Sequence, residues 1–450
     1  MIDCRRLRLA GLLAITLGAA ALAGTGRANA EALLLIEADT GKVLHAENAT
    51  YPWYPASVTK LMTAYTALRA VKEQRLTLDS LLTMSPNAVA QQPTKMGFVV
   101  GTTLTLDNAL KMLMVKSAND VAVAIAEGVG GSVEGFADLM NENAARLGMT
   151  QSHFVNPNGL PAENHVSSAR DLAILARALI QEFPEYDAYW HISGIRYGKR
   201  VMRNYNTLID RYPGADGMKT GFICASGYNL VASATRNGKR LIAVVLGAYG
   251  GAARAQKAAR LLERGFASTG LSWLTPSLGT VDALQPIAAA PLDLREEMCG
   301  KKRRRPASED NDEDDEMVQA GASGETATGD GADAQQHVFS LSAVKPPPSK
   351  YVLAPLTVSG PIIDVYTGTA KNPTTNAVPV AAKPAKRKKT KTAKADTKTK
   401  ADSATAETAN DKSKDKVKAK DTAKDAAKPA AKAGAKHAPK KKKAAAAATQ

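Results

Sequence analysis

A hairpin signal near residue 238 constrains the fold of this chain more than any other feature. Asn237-Gly238 is a preferred dipeptide of two-residue hairpin turns, and it separates strand-like runs at 227–235 and 240–247. A second pair of strand-like runs, at 32–37 and 43–46, lies near the beginning of the chain. Because helical patterns lie between the two pairs, we predict an α+β fold with one antiparallel sheet, built from both ends around a helical insertion.

Apolar residues recur at helical spacing in several segments of this region. The spacing predicts helices over 58–71, 105–114, 120–127, 132–147 and 253–264. The region from 31 to 275 spans about 245 residues, which is enough for a substantial core. We therefore treat 31–275 as one folded domain.

The first 30 residues have the three parts of a secretory signal peptide. Arg5, Arg6 and Arg8 precede an apolar stretch at 9–24, and Ala28-Asn29-Ala30 has the small-residue pattern of a cleavage site. A membrane anchor is the competing interpretation, but the stretch is short for a spanning helix. We predict a signal peptide over 1–30 and an exported protein, periplasmic or associated with the cell envelope.

The composition changes after residue 275. A basic run at 301–305 adjoins an acidic run at 309–316, and a short apolar island follows, so we predict a linker with charge blocks over 276–375. Residues 376–450 hold 22 Lys and Arg against 7 Asp and Glu, which is nearly all of the net charge of +16. We predict a disordered, basic Lys/Ala-rich tail over 376–450.

The basic tail has two interpretations. It is either a plain spacer or a segment that binds an anionic partner. In an exported protein that partner would be an anionic envelope polymer or a membrane surface rather than nucleic acid, and salt would weaken the binding.

Cysteine and histidine are scarce. Cys4 lies in the predicted signal peptide, and the sequence leaves open whether Cys224 and Cys299 pair. We interpret Cys224 as a small buried hydrophobe rather than a reactive thiol. The six His residues show no metal-ligand spacing, so we predict neither a metal nor a cofactor.

Ser57 and Lys60 carry the first chemical signal. Pro55 precedes a predicted helix, so Ser57 lies in or near its first turn and Lys60 lies three residues on, over the same face. An amine beside a Ser hydroxyl can take the proton that the hydroxyl must lose before it attacks a carbonyl. Alone, S-x-x-K is a weak signal, because chance matches are expected in a Lys-rich chain.

Two further motifs follow in chain order, Ser117-Ala118-Asn119 and Lys219-Thr220-Gly221. This order is characteristic of β-lactamases and penicillin-binding proteins. In these motifs the chain resembles the serine D-alanyl-D-alanine carboxypeptidases, the low-molecular-mass penicillin-binding proteins. The resemblance covers about 31–275 and implies a β-lactamase/DD-peptidase-like fold there.

The resemblance also implies a role for the residues of the first two motifs. Ser57 would be the nucleophile that forms an acyl-enzyme, and Lys60 the general base, acting directly or through Ser117. Ser117 would relay a proton to the leaving D-Ala. Asn119 would orient Lys60 and bind the substrate amide.

The remaining implied residues face the substrate. Lys219 and Thr220, followed by Gly221, would bind its terminal carboxylate, with help from Arg254. The backbone N–H groups of Ser57 and Phe222 would form the oxyanion hole. Phe222 departs from the polar residue common at this position in the family. Singly, Ser117 also fits an ordinary helix break, Lys219 a surface Lys and Arg254 a solvated helix charge.

The implied function is a serine-type carboxypeptidase that removes the terminal D-Ala of peptidoglycan pentapeptide. Its ligands would be the stem peptide and β-lactams. A D,D-endopeptidase is the nearest alternative, because the same chemistry cleaves cross-links. A class A β-lactamase would need a placed Glu, and Glu127, Glu134, Glu142 and Glu163 lack the matching local pattern. The intact motifs argue against a non-catalytic envelope-binding protein.

Overall fold

The computed structural model describes residues 31–267, 277–301, 353–354 and 360–375. The predicted signal peptide and the predicted disordered tail lie outside these residues, as does most of the segment with the charge blocks. None of the helices in the described ranges combines the length and the apolar character needed to cross a bilayer.

Twelve strands lie in the described residues. They are β1 (Ala32–Glu37), β2 (Val43–Glu47), β3 (Leu81–Thr83), β4 (Thr103–Thr105), β5 (Gly194–Tyr197), β6 (Arg200–Arg203), β7 (Ala215–Ile223), β8 (Gly227–Arg236), β9 (Lys239–Ala248), β10 (Ile362–Asp364), β11 (Thr367–Thr369) and β12 (Asn372–Thr374).

The same ranges contain α-helices and shorter 3₁₀ segments. The α-helices are α1 (Lys60–Lys72), α2 (Pro86–Ala90), α3 (Leu106–Val115), α4 (Asn119–Gly130), α5 (Val133–Arg146), α6 (Ala169–Glu182), α7 (Leu208–Arg211), α8 (Gly251–Ala267) and α9 (Arg295–Cys299). The 3₁₀ segments are Ala56–Thr59, Pro184–His191 and Val281–Ala283.

The central sheet is antiparallel and has the order β2-β1-β9-β8-β7. Asn237 and Gly238 both have positive φ, +51° and +74°, as the predicted hairpin turn between β8 and β9 requires. The first strand pair joins the last through β1 and β9, where Leu34 is opposite Val244. The predicted α+β architecture with a helical insertion is confirmed.

Both faces of this sheet are buried, and β1 shows how. Leu34 and Ile36 pack in the core that contains the helical insertion, whereas Leu35 packs in the core under α8. Successive side chains of a strand point to opposite faces, so one apolar run supplies both cores. The sheet is therefore a rigid platform for the residues on β7.

Helix α1 runs through the helical core. Its residues from Lys60 to Leu68 are all buried, and a helix that is buried on every side is a core helix. The pattern predicted a helix from 58, whereas the α-helix begins at Lys60 after the 3₁₀ turn Ala56–Thr59. This turn tightens the chain where Ser57 lies.

Two segments of the predicted linker over 276–375 belong to the folded unit, so the linker interpretation is wrong for them. In one segment, residues 360–375, β10 pairs in parallel with β5, and β11 pairs with β4. These three-residue strands extend edges that β4 and β5 already provide, and so need little apolar content of their own. The second segment, residues 277–301, is named the return segment below.

The return segment crosses the domain and ends beside β7. Thr280 pairs with Lys42 next to β2, and the backbone N–H of Leu294 donates to Ala225 O (3.0 Å). Met298 is fully buried, and Cys299 forms a disulfide with Cys224. Cys224 is therefore a cross-linked residue rather than the small buried hydrophobe inferred from its neighbours.

We expect removal of this disulfide to lower the stability of the domain. The bridge joins residues 75 apart, and a disulfide typically contributes about 2 to 4 kcal/mol, mainly by constraining the unfolded state. The double variant Cys224→Ser, Cys299→Ser should lose about that much in urea unfolding at neutral pH. A reductant should destabilise the wild type to the same extent and leave the double variant unchanged. Equal stability of wild type and variant would contradict the prediction.

Candidate active site

The segment before Ser57 is anchored to the central sheet. Asn229 of β8 donates from Nδ2 to the carbonyl oxygens of Tyr54 (2.9 Å) and Pro55 (3.2 Å). Ala56 has φ +50°, a left-handed conformation that is strained for a residue other than glycine. Such strain persists only where the surroundings hold it, and it is common at functional sites. The anchored, strained turn presents Ser57 to a cleft.

Lys60 is fully buried beneath Ser57, and its amine contacts both motif residues and a backbone carbonyl. Its Nζ lies 2.9 Å from Ser57 Oγ, 2.7 Å from Asn119 Oδ1 and 2.7 Å from the carbonyl oxygen of Asn158. The Asn119 amide is oriented by its Nδ2, which donates to Gln92 O (2.9 Å). The predicted contacts of Lys60 with Ser57 and Asn119 are therefore present.

The identity of these neighbours decides what the Lys60 amine can do. Carbonyl oxygens only accept hydrogen bonds, so Asn119 and Asn158 occupy two N–H donors of Lys60. In the structure Lys60 Nζ also donates to Ser57 Oγ (2.9 Å). In its neutral form the amine has two N–H groups and one lone pair, and at the same distance that lone pair can accept the Ser57 proton. The geometry is that of a hydroxyl facing an amine able to take its proton.

Ser117 lies in the loop just before α4. Its φ is +57°, its side chain is buried, and its Oγ has no hydrogen-bond partner among the described residues. The loop is held by Thr94, whose Oγ1 donates to Ser117 O (2.7 Å). Leaving a buried hydroxyl without a hydrogen-bond partner costs free energy. The Ser117 hydroxyl therefore marks a position where a bound ligand would supply that partner.

Strand β7 brings the third motif against the Ser57 turn. A Cβ added to Gly221 would lie 2.8 Å from the Ser57 backbone N and 2.9 Å from that of Val58. Only glycine allows this approach, which sets the backbone of Gly221 and Phe222 beside the start of the 3₁₀ turn. Lys219 and Thr220 are buried on the same strand, and Lys219 Nζ donates to Thr220 O (3.1 Å).

Phe222 and Arg254 both contact Tyr228. The Phe222 ring stacks on the Tyr228 ring with centroids 4.3 Å apart. The Arg254 guanidinium lies over the same ring at 5.5 Å, and Nη2 is 3.4 Å from Tyr205 O. Arg254 is thus buried against Tyr228 and Tyr205, and its role in carboxylate binding stays a prediction.

Two adjoining clefts open at this place. The inner cleft, of about 200 Å³, is lined by Ser57, Asn119, Asn158 and Phe222. The outer cleft, of about 450 Å³, is lined by Tyr54, Glu163, Ile223 and Pro291. Ile223 also lines the inner cleft, and Gly159, Leu160 and Arg295 are among the other residues that line both. Lys219, Thr220 and Arg254 do not line either cleft.

His165 contacts Thr59, the residue before Lys60. The Val155 N–H donates to His165 Nδ1 (3.0 Å), so the ring proton is on Nε2 and is donated to Thr59 Oγ1 (2.9 Å). Burial lowers the pKa of His165 to about 3, and His153 and Lys60 add to the effect. The imidazole is therefore neutral at pH 7 and fixes the residue next to Lys60.

The sequence did not predict two residues of the site, Asn158 and Gly159. Asn158 acts through its backbone carbonyl, which no side-chain motif reveals. Gly159 has φ +80°, and an added Cβ would collide with Ala56 O, so glycine alone fits against the Ser57 turn. The Asn-Pro-Asn-Gly run at 156–159 was the available signal for a tight turn.

Comparison with known proteins identifies the family. A sequence model of the D-alanyl-D-alanine carboxypeptidase family matches residues 19–250, just over half of the chain. This chain belongs to the D-alanyl-D-alanine carboxypeptidase family. The match includes every site residue predicted from the sequence except Arg254, and it ends before the return segment.

Curated members of this family align with about half of the chain. The D-alanyl-D-alanine carboxypeptidase DacC of Escherichia coli K12 is 38% identical over 245 residues, which cover 53% of this chain and 61% of the relative. DacF of Bacillus subtilis 168 is 36% identical over 245 residues, covering 53% and 62%. The chain thus spans about three fifths of the length of these relatives.

Two solved structures share the fold of this chain. DacD from Francisella tularensis is 30% identical with a TM-score of 0.51, covering 52% of this chain and 70% of that protein. Penicillin binding protein 6B from Escherichia coli is 34% identical with a TM-score of 0.50, covering 52% and 77%. The DD-peptidase-like fold predicted for this family member is therefore confirmed.

The site also bears on the β-lactamase alternative. Of the four glutamates considered, only Glu163 lines either cleft, and it lines the outer one rather than the cleft with Ser57. Glu127 accepts a hydrogen bond from Asn87 instead (3.1 Å). The family assignment and this placement both disfavour a class A β-lactamase.

Proposed function

We propose that this chain is a serine-type D-alanyl-D-alanine carboxypeptidase that removes the terminal D-Ala of peptidoglycan pentapeptide through an acyl-enzyme on Ser57. The observation that carries the proposal is the 2.9 Å contact of Lys60 Nζ with Ser57 Oγ, with the two carbonyl contacts of Lys60 beside it. An activated nucleophile of this kind needs a base within hydrogen-bond reach, held by a further group.

In the acylation step Ser57 Oγ attacks the carbonyl carbon of the penultimate D-Ala and its proton passes to Lys60. The peptide C–N bond then breaks, and the leaving amine of the terminal D-Ala takes a proton. Ser117 is suited to relay the proton of Lys60 to this amine, giving its own proton and taking that of Lys60, because its buried Oγ has no partner among the described residues. Water then attacks the ester, releasing the shortened peptide and restoring Ser57.

The oxyanion of the tetrahedral intermediate needs two donors that are in place beforehand. We assign the backbone N–H groups of Ser57 and Phe222. The close approach of Gly221 to the Ser57 backbone supports this assignment, because it brings the two segments together. A side chain at 221 would separate them.

The terminal carboxylate of the substrate is assigned to Lys219 and Thr220. Both are buried on β7, immediately before the glycine that touches the Ser57 turn. The cation supplies charge for the carboxylate, and the hydroxyl supplies a donor. Arg254 is assigned a supporting part, through Tyr228 and Tyr205.

β-Lactams are proposed as covalent ligands of the same centre. Their strained amide places a carbonyl and a carboxylate at a spacing like that of the substrate, so Ser57 would open the ring in the same acylation step. We also propose export to the cell envelope, where the peptide substrate is found. For the Lys/Ala-rich tail we propose two alternatives. It is a spacer, or it binds an anionic partner, which would be an envelope polymer or a membrane surface.

One assay tests the proposed reaction against its nearest alternative. The full exported chain should release free D-Ala from a synthetic pentapeptide faster than it cleaves a cross-linked peptide dimer of the same composition. D-Ala is quantified enzymatically and dimer cleavage by chromatography. Faster cleavage of the dimer would assign an endopeptidase, and no reaction with either substrate would overturn the proposal.

A further inference from the structure

We propose that Arg295, in the return segment, is a specificity-determining residue that binds a carboxylate on the side chain of the stem-peptide residue preceding the two D-Ala residues. The inference rests on the proposed function and deepens it. Arg295 lies outside the residues that match the family. Its position follows from this chain's own return segment.

The direction of β7 sets where each part of the substrate lies. This strand is at the edge of the central sheet, and an extended peptide can add to such an edge. With the terminal carboxylate at Lys219 and Thr220 and the scissile carbonyl at Ser57 and Gly221, a peptide antiparallel to β7 continues past Phe222 and Ile223. The residue before the two D-Ala residues therefore reaches the junction of the inner and outer clefts.

Arg295 stands at that junction. It lines both clefts, and its side chain is 61% exposed. Its ion-pair partner is Asp293, with Nη1 3.1 Å from Oδ2 and the carboxylate 44% exposed. An exposed pair of this kind is weak, so the guanidinium can exchange Asp293 for a ligand carboxylate or bind both.

The backbone around Arg295 is fixed although its side chain is exposed. The disulfide of Cys299, the buried Met298 and the hydrogen bond from Leu294 N to Ala225 O hold the segment against the β7–β8 turn. A charged group on a fixed support at the mouth of a cleft is suited to recognition. Its exposure also means that substitution leaves the core intact.

The outer cleft has a second charge, and the two together define the ligand class. Among the described residues that line it, the charged ones are Arg295 and Glu163, and they do not form an ion pair with each other. His165 is neutral there. A side chain that ends in both an amino group and a carboxylate offers an opposite charge to each of these two residues. A diamino dicarboxylic acid such as meso-diaminopimelate has this terminus, whereas lysine has the amine alone.

The test uses two pentapeptides that differ only at the third residue, meso-diaminopimelate or L-lysine. We expect the wild-type chain to prefer the first by about tenfold in kcat/KM, the effect of one charge-assisted hydrogen-bonded contact. Arg295→Ala should remove the preference by raising KM for the diaminopimelate peptide, with little change for the lysine peptide. Arg295→Lys should retain part of it. Arg260→Ala, an exposed Arg on α8, is the matched control and should behave as wild type.

The outcomes separate this inference from the proposed function. Benzylpenicillin acylation of Arg295→Ala at the wild-type rate would show that the Ser57 centre is intact. Equal losses with both peptides, or no loss with either, would overturn the role of Arg295 while leaving the carboxypeptidase assignment standing. A wild-type chain that releases D-Ala from neither peptide would overturn the assignment itself.

Discussion

Replacing Ser57 with Ala is expected to abolish both D-Ala release and covalent labelling by penicillin. The proposed reaction passes through an ester on Ser57 Oγ, and Ser57 supplies the hydroxyl that lies 2.9 Å from Lys60 Nζ. Loss of a covalent nucleophile removes the whole pathway, so kcat/KM should fall by about 10⁴-fold or more. Labelling is measured with a fluorescent penicillin followed by denaturing electrophoresis.

The Ser57→Ala result is interpretable only if the variant is folded. Removing one hydroxyl at a cleft wall leaves the anchoring contacts of Asn229 untouched, so the urea midpoint should stay close to that of wild type. A non-covalent complex with the pentapeptide should still form. Retention of labelling in a folded variant would place the nucleophile elsewhere and contradict the assignment of Ser57.

The parts of the site that follow local rules could be predicted from the sequence. Asn-Gly favours the positive φ angles of a two-residue hairpin turn, so the position of this turn could be predicted. The observed pairing of β8 with β9 places the turn at Asn237-Gly238. Ser57 and Lys60 are three residues apart on one helical turn, so their contact needs only that the turn forms. The meeting of this turn with Asn119 and β7 followed from the resemblance, since spacing alone does not bring distant segments together.

Other parts carry no residue-type signal. The Asn158 carbonyl that contacts Lys60 is a backbone group, which any residue could supply. The return segment is held by Leu294, Met298 and one disulfide among exposed residues, so its composition resembles that of a linker. Pairing between Cys224 and Cys299 depends on the three-dimensional path. The position of Arg295 in the cleft wall also depends on the path of the return segment, so residue type alone does not predict it.

Replacing Lys60 is expected to have an effect nearly as large as that of Ser57→Ala, but for a different reason. Lys60→Arg keeps a cation, yet a guanidinium stays protonated and cannot take the proton of Ser57. Lys60→Met keeps the length of the side chain but leaves the carbonyls of Asn119 and Asn158 without their donor. General base catalysis contributes about 10²- to 10⁴-fold, so acylation by penicillin should slow by about 10³-fold in both variants.

The control for Lys60 lies on the same helix. Lys72→Met, at the exposed C-terminal end of α1, removes a Lys that donates to Glu182 O (2.8 Å) and should acylate at the wild-type rate. Stopped-flow acylation across pH adds a second readout, because the limb that reports deprotonation of the base should vanish with Lys60→Arg. Near-normal acylation of Lys60→Arg would exclude Lys60 as the base. A Ser hydroxyl only passes a proton on to a base, so Ser117 cannot replace Lys60 in this role. If Lys60 acts through Ser117, then Ser117→Ala should also slow acylation.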